Sequence, residues 1–60
     1  KKEILIGDSP LTVPRILGKP LDEIDRKKIN TNYKIMKYSI DNKIYIFFFK
    51  DEILIDIDFE

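Results

Sequence analysis

Sixty residues carrying eleven basic and eleven acidic side chains make one small domain with no net charge to draw it to nucleic acid or anionic lipid. Cysteine and histidine are both absent, which excludes a disulfide framework, thiolate metal sites, a cysteine nucleophile and the commonest general base. Nearly every large apolar residue is needed for a core in a chain this short.

No apolar run approaches the ~20 residues that a membrane-spanning helix requires, and no signal-peptide pattern is visible. The sequence opens on Lys1, so a targeting segment or an anchoring residue upstream is compatible with it. Ile4, Leu5 and Ile6 read as a short edge strand or an extended arm, and either form buries Ile4 or Ile6.

The segment from Gly7 to Pro20 predicts a helix over 9–18. Ser9 is a suitable N-cap and Pro10 then falls at the first helical position, where a missing N–H costs nothing. Val13, Ile16 and Leu17 recur at helical spacing, Gly18 suits a left-handed C-cap, and Pro20 prevents resumption. Pro14 lacks a donor and crowds the preceding turn, which predicts a 3-10 or kinked first turn. From Leu21 to Ile29, Leu21 and Ile24 keep helical spacing and acids precede bases, which predicts one or two weak helical turns. Asn30-Thr31-Asn32 is a polar break.

From Tyr33 onward, isoleucine, phenylalanine and tyrosine dominate without proline or glycine, and three strands follow over 33–40, 43–50 and 53–59. Asp41-Asn42 makes a two-residue hairpin turn, both residues tolerating positive φ, and Lys50-Asp51-Glu52 makes a second. In the last strand Ile53, Ile55, Ile57 and Phe59 alternate with Leu54, Asp56, Asp58 and Glu60, which predicts one inner and one wet face. The middle strand has two apolar faces: Ile44, Ile46 and Phe48 against Tyr45, Phe47 and Phe49. A single short helix covers only one of them. The predicted fold is α+β, with one or two short N-terminal helices packed on one face of a three-stranded antiparallel β-meander, residues 1–60 forming a single domain.

Gly7, Ser9, Val13, Leu17, Gly18 and Pro20 have the spacing Gly-x-Ser/Thr-x3-Val-x3-Leu-Gly-x-Pro, which resembles the signature of the SmpA/OmlA, or BamE-like, domain family. Phe48 and Leu54 fit its later Phe and Leu, while Asp51 and Glu52 stand where the family has glycine. The resemblance implies a helix-plus-three-strand module of a bacterial envelope lipoprotein, on the periplasmic side. It also implies a role in binding protein partners, such as support of outer-membrane protein assembly, and not in catalysis.

Tyr45, Phe47 and Phe49, with Leu21 and Ile24 from the loop after Pro20, are the expected partner-binding or self-association surface, because contiguous aromatics rimmed by charge mark interfaces. An inhibitor or immunity-type binding protein is the alternative within the same class. A stacking platform for single-stranded nucleic acid is the alternative from another, with Lys34, Lys37, Lys43 and Lys50 tracking phosphates, and the even charge balance argues against it. No catalytic residue, cofactor or metal site is expected. Asp56 and Asp58 lie on a straight strand that cannot wrap an ion, and neither Ser9 nor Ser39 has a histidine to activate it.

Overall fold

The computed structural model describes residues 3–60. One helix, α1 (Thr12–Leu17), precedes four strands: β1 (Asp22–Lys28), β2 (Thr31–Ile40), β3 (Lys43–Lys50) and β4 (Ile53–Phe59). The strands form one antiparallel sheet in the order β1-β2-β3-β4. The expected helical turns on a three-stranded meander are therefore replaced by a fourth strand and a single short helix.

Two-residue turns set the register. Asp41 and Asn42 lie at φ 53° and 67°, and Asp51 and Glu52 at φ 48° and 65°, so the β2–β3 and β3–β4 hairpins turn through the left-handed conformations that match strand twist. Asp51 also ties its turn to β2, its N–H donating to the Asn32 carbonyl at 2.7 Å and its carboxylate accepting from the Asn32 N–H at 3.0 Å. The first turn fixes Ile40 opposite Lys43, which sets Tyr38 opposite Tyr45 and Met36 opposite Phe47.

β1 forms where helical turns were expected, and the reason is what each form can bury. A helix would leave Leu21 and Ile24 as its only apolar stripe. As a strand, β1 pairs its backbone along β2, sets Ile24 opposite Ile35, and places Glu23 and Asp25 beside Lys34. It also covers the edge of a ten-residue strand, which would otherwise invite unwanted pairing.

The helix begins later than the expected 9–18. Ser9 caps the turn that precedes it, its hydroxyl accepting from the Leu11 N–H at 3.1 Å and its carbonyl from Thr12 at 3.0 Å. Pro14 thereby becomes the third helical residue, where no intrahelical donor is required, and its carbonyl accepts from the Gly18 N–H at 2.8 Å. Gly18 ends the helix at φ 84°, ψ −151°, a region essentially reserved for glycine. Its carbonyl accepts a 2.8 Å bond from the Tyr38 hydroxyl, which joins the helix end to the sheet.

The core lies between α1, the N-terminal arm and one face of the sheet. Val13, Met36, Tyr38, Phe47, Phe49 and Leu54 are buried, with Ile4, Leu17, Ile40, Tyr45 and Ile57 packed around them. Tyr38 meets Phe47 edge to face, at 5.7 Å between centroids. Of the two candidates in the arm, Ile4 packs inward and Ile6 remains exposed.

β4 departs from the alternation read in its sequence. A bulge opposite Phe48 and Phe49 leaves Ile55 without a cross-strand partner, so Leu54 faces Phe49 and Ile57 faces Phe47 on the inner side. Ile53 and Ile55, expected inside with Ile57, are exposed, and Leu54, expected outside, is fully buried. Leu54→Ala should accordingly cost about 2–5 kcal/mol, enough to unfold much of so small a domain. Ile55→Ala, at a side chain 47% exposed, should cost less than about 1 kcal/mol by the same scaling of cost with burial. Urea denaturation of the two variants checks this, and the reverse order would contradict the bulge.

Candidate functional site

The outer face of the sheet is built by the register that forms the core. Ile40 and Lys43 flank the first turn, so Lys37 lies opposite Ile46, Ile35 opposite Phe48 and Tyr33 opposite Lys50. β1 adds Ile24 beside Ile35, and β4 adds Asp56 beside Phe48 and Asp58 beside Ile46. Ile24, Ile35, Phe48, Ile46 and Ile44 thus make an apolar band across β1, β2 and β3, bordered on β4 by the two aspartates. These side chains are half-buried by one another, and among the described residues no helix or strand packs over them. At one end a shallow hollow opens between Arg26, Lys28, Tyr33, Phe48, Ile55 and Asp56.

Charge separates across this face. Arg26 and Lys28 line the hollow and Lys50 stands opposite Tyr33 beside it, while Asp56 and Asp58 line the β4 side. The two aspartates also close their own strand edge: Asp56 Oδ1 accepts from the Ile57 N–H and Asp58 Oδ1 from the Phe59 N–H, both at 2.9 Å. They read as edge protection on a straight strand. No group of three or more metal-ligating side chains gathers among the described residues.

The residues expected to bind a partner are placed differently. Phe47 and Phe49 are 3% and 1% exposed and lie in the core, under α1 and the arm. Tyr45 shares their face and stacks on Phe59 at 5.8 Å between centroids. The face expected to be open is therefore the covered one, and the Ile44, Ile46 and Phe48 face is the one left uncovered. Ile24 does belong to that outer band. Leu21, 66% exposed, precedes β1, where its N–H donates to the Lys37 carbonyl at 2.8 Å. Ile35, Ile46 and Phe48 were missed as site residues. Lys37 and Ser39 supplied the signal, because they share a face with Ile46 and Ile44 and mark it as the outer one.

On the inner side, at the β1 end, Lys34 bonds Glu23 at 2.5 Å and Asp25 at 2.9 Å. The hydrogen bond to Glu23, then that to Asp25, raises the Lys34 pKa above its usual 10.5 despite partial burial. Burial foremost, then the charge of Glu23, raises the Tyr38 phenol above its usual 10.0.

These features define a small, nearly all-β domain with one closed and one open sheet face. No family model matches the chain, and comparison with curated proteins and with solved structures finds no significant match.

Both raised pKa values favour the protonated form in the folded state, so their stabilisation is complete below the unfolded values and fades as pH rises through the folded ones. The urea midpoint should fall above pH 10, and Tyr38→Phe or Lys34→Met should each make that fall shallower. A midpoint that rises with alkali would contradict the assignment.

Proposed function

We propose that this domain is a non-enzymatic protein-interaction module whose contact surface is the outer sheet face centred on Phe48, Ile35 and Ile46. The observation that carries the proposal is an apolar band across β1, β2 and β3 on a face that no described helix or strand covers. Large contiguous apolar surface rimmed by charge is costly to leave in water and serves association. The fitting partner is a protein with an apolar surface of its own, acidic where it meets Arg26, Lys28 and Lys50 and basic where it meets Asp56 and Asp58. The resemblance of Gly7 to Pro20 to BamE-like domains supplies the proposed setting, the periplasmic side of a bacterial envelope. Partners are accordingly sought there first.

Ile35→Ser/Phe48→Ser should weaken capture of an envelope protein at least tenfold while circular dichroism shows the sheet intact. Phe47→Ser removes an aromatic that is 3% exposed, and should unfold the domain instead. Undiminished capture by the folded double variant would sink the proposal.

A further inference from the structure

The two edges of the sheet are finished differently, and the difference points to a second copy of this chain. Residues flanking a two-residue turn exchange both backbone bonds, so Ile40 and Lys43 bond each other, and bonding alternates along the pair from there. Even-numbered residues of β2 therefore bond to β3 and odd-numbered ones to β1. Through the β1 register, Asp22, Ile24, Arg26 and Lys28 direct their backbone groups inward, and Glu23, Asp25 and Lys27 direct theirs outward.

At the β4 edge the outward amides are occupied. Leu54 exchanges bonds with the arm, donating to the Asp8 carbonyl and accepting from the Gly7 N–H, both at 2.8 Å, and the Ile57 and Phe59 amides are met by aspartate side chains. At the β1 edge only the Glu23 amide is met, by Asp22 Oδ1 at 2.9 Å. Among the described residues, no side chain accepts from the amides of Asp25 and Lys27. Such an edge is a template for another strand.

The side chains of β1 select which strand. The sequence Asp22-Glu23-Ile24-Asp25-Arg26-Lys27-Lys28 is acidic in its first half and basic at its end. We propose that β1 pairs antiparallel with β1 of a second copy about a two-fold axis at Asp25, joining two sheets into one of eight strands. This arrangement sets Asp22 opposite Lys28 and Glu23 opposite Lys27, twice each, with opposed residues sharing a face as cross-strand pairs must. Placing the odd-numbered residues at bonded positions also uses the outward backbone groups. An axis at Ile24 would set Glu23 against Asp25. An axis at Arg26 would set Arg26 against itself and leave Asp22 and Glu23 facing Asn30 and Ile29. Parallel pairing in register sets like against like throughout. The one like-charged meeting in the chosen register, Asp25 with its copy, falls where each copy already holds Lys34 against Asp25 at 2.9 Å.

The axis runs through the plane of the sheet, so both open faces look the same way and the outer apolar band is doubled in width. This inference concerns the strand edge and does not rest on the reading of the outer face.

Sedimentation of the whole chain and of two charge variants tests it. Wild type should dimerise. Lys27→Glu/Lys28→Glu, mostly acidic along the edge, and Asp22→Lys/Glu23→Lys, mostly basic, should each dimerise at least tenfold more weakly. Their equimolar mixture should recover the dimer as a heterodimer in native mass spectra. Asp25→Pro removes an outward N–H that no β2 bond uses, and should stay folded and monomeric. Wild type that remains monomeric to about 1 mM, or charge variants that dimerise as wild type does, would overturn the proposal. A dimer lost in Ile35→Ser/Phe48→Ser but kept in the charge variants would also overturn it, assigning the contact to the outer face.

Discussion

The turn at Asp41–Asn42 holds the arrangement of this domain in place, because one residue of slippage there would exchange inside for outside along β2 and β3. With Ile40 opposite Lys43, Met36 and Tyr38 share a face with Phe47 and Tyr45, and Lys37 and Ser39 share the other with Ile46 and Ile44. The helix contributes mainly Val13 and Leu17. Six helical residues and an arm can shield only one side of four strands, so the larger aromatics go beneath them and the isoleucine band stays outside. Tyr38 then fastens the cover through its bond to the Gly18 carbonyl.

The edges follow from the same geometry. Alternation fixed at the first turn decides which amides face outward on β1 and on β4, and the side chains are matched to that alternation. Asp56 and Asp58 stand immediately before the outward amides they accept from, and Asp22 stands likewise before Glu23. The bulge at Ile55 is part of this match. Without the extra residue, a strand beginning at Ile53 would turn the Asp56 amide outward and the Ile57 amide inward, and the carboxylates would no longer precede the amides they cap. It would also bring Asp56 and Asp58 onto the inner face.

Much of this was written in the sequence, at uneven depth. The Asp41-Asn42 and Asp51-Glu52 turns and the strands they join were legible because turn chemistry and period-2 alternation are local. The choice of face was also available: the Asp-Asn register places Lys37 and Ser39 with Ile46 and Ile44, and polar residues belong outside. The strict alternation of Ile53, Ile55, Ile57 and Phe59 concealed the answer, since a bulge resets parity without altering composition. β1 was hidden for another reason. Its one apolar contact with β2, Ile24 with Ile35, lies on the outer face and not in the core, and its acid-to-base order suits a helix as well as an edge strand. Pairing to β2 decides between them, and that is a long-range term no local propensity carries.

A domain of this size gains little margin from one buried face. Six side chains form its closed core, while a comparable set of apolar residues stands on the other side of the same strands, within one backbone thickness of it. Any contact that removes the outer band or the β1 edge from water binds the folded sheet and not the unfolded chain, so it raises stability by mass action. The effect is asymmetric between the two surfaces. The outer band exists only when the register at Asp41–Asn42 is correct, so burying it reinforces the choice of inside and outside. The β1 edge exists only when β1 has already left its helical alternative, so pairing there reinforces the one element whose local sequence is ambiguous. Association would thus act most strongly on the parts of the fold that the chain by itself specifies least.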